Sequence, residues 1–441
     1  MPIPSQACVH DGVLLLKVLF VIPSDFIPPN SGNKNLLFSL LKGVSPHIEC
    51  DLVILAEFVG CAVKSRILNE FPHVKEVYIF PKPSGLSLFL SRLRFMLAGF
   101  HPALGRYRND KLEKWLQSHA INYELIHFDM IHVAPYRAFC CSVPTLLVAS
   151  DAYSMAAQKA RHAGNMGAIY AGYVLIQEWW FKNFERKNYP LFDMVCTVSD
   201  IDAEWLKTIC PEATIRTIGI GLASEYVERP IMHFTHQGIA KKKILCTGNL
   251  NHSVIADSVI KFLRNTFPVL LREHPDLTVT ILGQDPVREL KLCMEEFASV
   301  VSHINFVDDY ANFLDDDWIY VYPQKSASGL QTKVQQAMAL GLPVVGFTVS
   351  FGGLEVESGK HCYICKDMNE VACNILLLLA STELRVKMGS DVSNHVRNRF
   401  SIPHIGEEML TLYNDVISKQ GSYVLAQKMI KRGDGISEKH V

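Results

Sequence analysis

The stretch WIYVYP (Trp318–Pro323), then Gln324–Ser328, then GLQTKVQQAMAL (Gly329–Leu340), Gly341 and PVVGF (Pro343–Phe347) decides the fold. It reads strand, loop, helix, glycine stop, strand. Ser328 suits an N-cap, and Gln331 three residues on would complete a capping box. Leu330, Val334, Ala337, Met338 and Gly341 recur at helical spacing and predict a face packed on a sheet. Thr332, Lys333 and Gln336 are three or four apart and share another face. The free N–H groups and positive dipole end at a helix start favour an anion. Two readings follow. One is a capped helix on a parallel sheet with a solvated polar face; the other is a pocket for a phosphate-bearing ligand.

Working outward, the same alternation fills both halves of the chain. Leu14–Pro23 reads as a strand, followed by a loop with Pro28, Pro29, Asn30, Ser31 and Gly32, and a helix from about Lys34 to Val44. Strands are expected at Glu49–Ala56, Val74–Phe80, Leu125–Phe128, Thr145–Ala149, Met194–Ser199 and Thr214–Ile220, with a helix at Asp202–Ile209. The pattern breaks between Tyr226 and Lys243, then restarts. Lys243–Thr247 ends at Gly248, Ile255–Thr266 is helical, Thr278–Leu282 ends at Gly283, and Asn305–Val307 reads as a strand. Leu384–Phe400 and Glu407–Ser418 read as closing helices. This is α/β organisation with two facing Rossmann-like domains, 1–225 and 243–400. They are joined by a linker at 226–242, with a helix at 401–420 and a loose tail at 421–441. Ligands of such sheets lie outside the carboxyl ends of the strands, here in the cleft.

Composition narrows the function. A chain of 441 residues with 49% hydrophobic and 20% charged residues builds large cores. A net charge of −1 gives no overall field for nucleic acid. The twelve cysteines show no paired framework, which fits a reducing, cytoplasmic compartment. Cys362 and Cys365 form a lone C-x-x-C after His361 without a second pair at zinc spacing, so no metal site is expected. The apolar run Val13–Ile22 is too short to span a bilayer and contains Lys17. Leu86–Phe100 is apolar with Arg92 and Arg94. It reads either as an ordinary domain helix or as an amphipathic helix in peripheral contact with a membrane.

The run Gly329, Lys333, Gln336, Ala337, Met338, Ala339, Gly341, Pro343, Val344, Val345 resembles the donor-binding helix of retaining glycosyltransferases of the GT-B fold, family 4. The likeness extends to Gly248, Asn249, Leu250, Asn251, His252 and Asp257, to Gly283, and to Phe306-Val307-Asp308-Asp309. It also covers Gly352-Gly353-Leu354, Gly359, Val198-Ser199 with Asp202 and Trp205-Leu206, and the loop Pro29–Gly32. It is closest to bacterial enzymes that build surface polysaccharides. It implies a nucleotide-sugar donor, a glycan or lipid-linked acceptor, retention of configuration, no cofactor and no metal. The last helix is implied to return to the first domain.

Retaining transfer needs the diphosphate neutralised, the sugar oriented and the acceptor hydroxyl held close. Lys333 is the candidate for the diphosphate, or else a surface lysine. Asn251 and His252 either face the same phosphates or serve the turn. Gly248, Asn249, Gly283, Val307, Ser328, Gly329, Thr332 and Gln336 complete the expected donor site. Ser31, Gly32 and Asn33 form the expected acceptor-side loop, where a glycine admits close backbone approach, or a plain tight turn. His127, Asp129 and Asp151 end first-domain strands and are candidates for contact with acceptor or sugar, or for structural hydrogen bonds.

One departure stands out. The family has glutamates eight residues apart where this chain has Ser328 and Gln336. An amide offers one acceptor oxygen where a carboxylate offers two. Losing one charge-assisted hydrogen bond to a ribose hydroxyl costs about 1.5–3 kcal/mol. An altered donor, a slower enzyme or a catalytically dead homologue that binds nucleotide sugar or glycan, or partners another transferase, would each fit. Another enzyme of the fold, such as an epimerase, matches the glycine turns less well.

Overall fold

Strand β1 (Leu16–Ile22) is apolar and buried from Val18 to Ile22, so it lies inside a parallel sheet covered on both faces. The computed structural model describes residues 9–431 apart from 11–12, 30, 46, 58–60, 141, 163–167, 232–241, 315–317 and 326–328. Around β1 lie β2 (Ile48–Ala56), β3 (Val74–Pro81), β4 (Leu125–Asp129), β5 (Thr145–Ser150), β6 (Met194–Thr197) and β7 (Ile215–Thr217). All pair in parallel, in the order β3-β2-β1-β4-β5-β6-β7. The second sheet holds β8 (Lys243–Thr247), β9 (Thr278–Leu282), β10 (Val301–Ile304), β11 (Trp318–Tyr322), β12 (Val344–Phe347) and β13 (Tyr363–Cys365). Its order is β10-β9-β8-β11-β12-β13, again parallel. Both are doubly wound sheets whose order reverses once, between β1 and β4 and between β8 and β11. Ligand crevices open beyond the strand ends at such reversals.

The helices that shape the crevice and nearby faces are α1 (Gly32–Val44), α2 (Gly85–Leu97), α3 (Ala168–Asn188), α4 (Asp200–Ile209), α5 (Ser253–Lys261), α6 (Thr332–Ala339) and α7 (Ile402–Lys431). Helix α7 returns to the first domain and packs on α1. A Cβ on Gly406 would sit 2.1 Å from the Gly43 carbonyl oxygen, so these two glycines let the backbones touch. Tyr413 of α7 bonds His127 of β4 at 2.7 Å.

Three local expectations change. Asn305–Val307 is a loop and the strand precedes it, because β9 ends at Leu282 and nothing extends the ladder beyond Ile304. The helix of the opening stretch begins at Thr332, not at Gly329. The expected capping box falls on Ser328, which lies outside the described residues; the side-chain oxygen of Gln331 accepts from the Tyr322 hydroxyl at 2.5 Å. The last helix runs on to Lys431, past the expected start of the tail. Among the described residues no helix is long and apolar enough to cross a membrane.

Candidate functional site

The crevice is built by two helix starts, one from each domain. Beyond β1 the chain turns through Ser31 into α1; Ser31 is the N-cap residue with an extended backbone, and its side chain makes no cap bond. Beyond β11 the chain reaches α6. A Cβ built on Gly32 would lie 3.5 Å from Thr332 Oγ1, so the amino ends of α1 and α6 meet face to face. Each carries unpaired N–H groups and the positive end of a dipole. Two such ends at one point favour an anion. Asn33 lies in the first turn of α1, half-buried beside it.

Gly329 forms the corner between the domains. Its φ is +63°, and a Cβ there would lie 2.1 Å from Asp151 Oδ1. Only glycine fits both conditions. The Gly329 N–H donates to Asp202 Oδ2 at 3.0 Å, and the Ala152 N–H donates to Asp202 Oδ1 at 2.8 Å. Asp202 lies in the first turn of α4, whose N-cap Ser199 accepts from the Asp202 N–H and donates its hydroxyl to the same carboxylate. Gly353, at φ +77°, presses on Val198 in the same seam, where a Cβ would lie 2.4 Å from the Val198 carbonyl oxygen. The Gly329 amide, expected to be open to an anion, is therefore held by the first domain. The first turn of α6 begins three residues later, at Thr332. Burial, then the neighbouring Asp202 carboxylate, pushes Asp151 up to about 7.

The second domain's turns line the other wall. A Cβ on Gly283 would lie 2.1 Å from the Gly248 carbonyl oxygen, so the turns after β8 and β9 close only with glycine there. Asn249, Asn251 and His252 are exposed on the Gly248 turn, with His252 as the N-cap residue of α5. Beneath Gly248 lies Gln324, 2% exposed, with its Nε2 lacking a partner. On α6, Lys333 Nζ sits 3.8 Å from the centre of the Tyr310 ring. Burial lowers the Lys333 pKa and the Glu225 charge opposes this. Gln336 is 8% exposed and its Oε1 is buried without a partner. Val307 is half-buried against the core beside an exposed Phe306.

Two candidates leave the crevice. His127 is fully buried, stacked on Phe20 at 4.5 Å and bonded to Tyr413 through Nδ1. Burial holds it neutral, with a pKa of about 3. It anchors α7, because its strand position faces the returning helix and not the strand end. Asp129 ends β4 but is 3% exposed, and burial pushes it up to about 8. Of the three, Asp151 alone reaches the interdomain seam. The sequence reading takes Asp202 as part of a strand-to-helix signature with Ser199 and misses its bond to the Gly329 amide across the seam.

Residues 241–381 match the family model of glycosyl transferases group 1. The chain is 28% identical over 176 residues to an uncharacterized glycosyltransferase of Haemophilus influenzae, covering 38% of this chain and 48% of that protein. It is 26% identical over 167 residues to spore coat protein SA of Bacillus subtilis, covering 34% and 44%. The chain thus spans about half the length of the curated relatives it matches. Its GT-B fold is that of Anabaena HepE in complex with UDP, with TM-score 0.57, 15% identity, and 91% and 100% of the two chains covered. Sucrose-phosphate synthase from Thermosynechococcus elongatus superposes with TM-score 0.63 at 14% identity, covering 91% and 100%.

Proposed function

We propose that this chain, whose residues 241–381 are a glycosyl transferases group 1 domain set in a GT-B frame, transfers a sugar with retention from a nucleoside diphosphate donor to a glycan or lipid-linked acceptor. The observation that carries this is the meeting of the α1 and α6 amino ends at Gly32 and Thr332. In the reaction the bond from the sugar's anomeric carbon to the diphosphate oxygen breaks, and a bond to the acceptor oxygen forms. The acceptor's proton leaves with the diphosphate. Two converging helix dipoles and Lys333 meet the charge that develops on that leaving group, which is where preorganised donors act most strongly. The Lys333–Tyr310 contact contributes about 0.5–2 kcal/mol. A charge-assisted bond to phosphate contributes about 1.5–3 kcal/mol, so the ammonium exchanges the ring for the ligand. Gln336, with its unpartnered oxygen, receives a ribose hydroxyl, and Gly248 to His252 border the phosphates. Asp151 faces the sugar.

A GT-B neighbour solved with UDP supports a uridine donor, and similarity to a spore coat protein supports work on surface polysaccharide. No cofactor or metal is needed in this scheme. The scattered cysteines favour a cytoplasmic setting, and the exposed apolar side of α2 favours peripheral contact with a membrane.

One observation favours a second reading, a binding protein without turnover: Asp202 holds the Gly329 amide, and Gln336 stands where a carboxylate is common. Calorimetric titration with UDP, GDP and ADP, followed by donor hydrolysis, separates the two. The transferase reading expects nucleotide binding with turnover, and at least tenfold weaker binding in Lys333→Ala. Binding without turnover for any acceptor supports the second reading. Unchanged affinity in Lys333→Ala removes that residue from the site.

A further inference from the structure

We propose that Tyr310 competes with the diphosphate for the Lys333 ammonium, and so speeds release of the nucleotide product. This deepens the function above and rests on that reading for the role of Lys333. Lys333 is the second residue of α6, and Thr332 before it faces Gly32 where the two helix starts meet. The ammonium nevertheless rests on an aromatic wall of its own domain, with Nζ 3.8 Å from the centre of the Tyr310 ring. There the cation lies against the negative face of the ring. With the other described residues Lys333 makes no hydrogen bond and no ion pair. Glu225, at the end of the first domain, favours its charged form.

Of the two partners, the ring is fixed and the ammonium is not. Tyr310 is 5% exposed with a buried hydroxyl, and shares one core cluster with Tyr226, Tyr320 and Val334. It opens the short helix Tyr310–Phe313. The N-cap residue of that helix, Asp309, accepts from the Asn312 N–H at 2.8 Å and lies 3.8 Å from Arg229. Lys333 is exposed, on a flexible four-carbon stem.

The sign of the effect follows from that difference. A diphosphate at the starts of α1 and α6 draws the ammonium off the ring. The ring contact then belongs to the nucleotide-free state alone, so it stabilises that state and opposes binding. Affinity differences at one site lie mostly in the dissociation rate. Release of product limits turnover in many enzymes. A carboxylate in place of the ring would also hold the lysine, but would set a negative charge beside the anion. An aromatic face holds the cation without that repulsion.

The test measures binding of UDP and inorganic pyrophosphate by calorimetry, and UDP release by stopped flow. It uses the full chain as wild type, Tyr310→Phe, Tyr310→Leu, Lys333→Ala and the Tyr310→Leu/Lys333→Ala pair. Tyr310→Leu should bind both ligands about threefold tighter or more, and release UDP more slowly by the same factor. Tyr310→Phe keeps the ring face and should stay within about twofold of wild type. On the Lys333→Ala background the leucine should have no effect, since the lysine it acts through is gone. A ring that serves packing alone gives the opposite sign, with weaker binding whether or not Lys333 is present. Weaker or unchanged binding in Tyr310→Leu overturns the competition, while a large loss in Lys333→Ala still keeps the donor reading. Unchanged affinity in Lys333→Ala, or no binding of either ligand to the wild type, sinks both. Proton NMR of the wild type needs no Tyr310 variant. The ring should shift the Lys333 ε-protons upfield in the free protein, and saturating pyrophosphate should abolish that shift. A shift that persists in the complex overturns the competition.

Discussion

Asp129 and Glu185 in the first domain are buried carboxylates with one oxygen left without a partner, and Asp151 is half-buried at the seam. Asp129 shows the consequence most simply, because burial alone raises it to about 8. Its folded pKa lies above the unfolded value of about 3.9. Between about pH 4 and pH 8 the native state keeps a proton that the unfolded chain has shed, so this group's contribution to stability falls as pH rises through that window. Asp129→Asn should flatten part of the decline. Urea midpoints at pH 5 and pH 8 should differ less in the variant than in the wild type. Equal differences would show that Asp129 is ionised and solvated in the native state. Asp151 and Glu185, both pushed up to about 7, keep some of the slope. None of these environments is written in spacing; the same strand-end aspartate pattern fits an exposed acid and a buried one.

Among elements, the α1 start was legible as a strand–glycine–helix turn, but its partner was not. Loop Pro23–Ser31 and loop Gln324–Gln331 are separated by some three hundred residues, and only the facing of the two sheets makes Gly32 a neighbour of Thr332. A Cβ at Gly32 finds ordinary contact distance, and its φ is not left-handed. Gly32→Ala should therefore fold with stability within about 1 kcal/mol of the wild type, alanine being the better helix former. The added methyl should instead obstruct a ligand between the helix ends, lowering nucleotide affinity or turnover at least fivefold. A variant with wild-type affinity and turnover would place the phosphates elsewhere. The α6 start moved from Gly329 to Thr332 for a similar reason. A helix cap is a local preference of about 1 kcal/mol, which tertiary bonds can outweigh. Here Tyr322 and the Asp202 seam draw Gln331 and Gly329 into other bonds.

At the scale of the molecule, the two domains are joined by α7, by the Gly329–Asp202 bond and by Gln335, whose Nε2 donates to the Ile220 carbonyl at 2.8 Å. Helix α7 meets the first domain backbone to backbone at Gly43 and Gly406. Gly406→Ala would set a methyl against backbone, which cannot move aside as a side-chain tip can. It should cost about 1–3 kcal/mol and push α7 off the first domain. Urea unfolding measures the loss; an unchanged midpoint would show that α7 adjusts its packing freely. The sequence by itself determined that there are two parallel α/β sheets, where most of their strands lie, and which glycine turns follow them. Those features arise from periodicity and turn chemistry within a few residues. Only the tertiary structure decided which strand-end groups share the crevice, that His127 serves α7, and that Asp202 closes the corner at Gly329. Burial and hydrogen-bond partners are properties of how distant segments face one another, and side chains of one type and spacing acquire different chemistry from that facing.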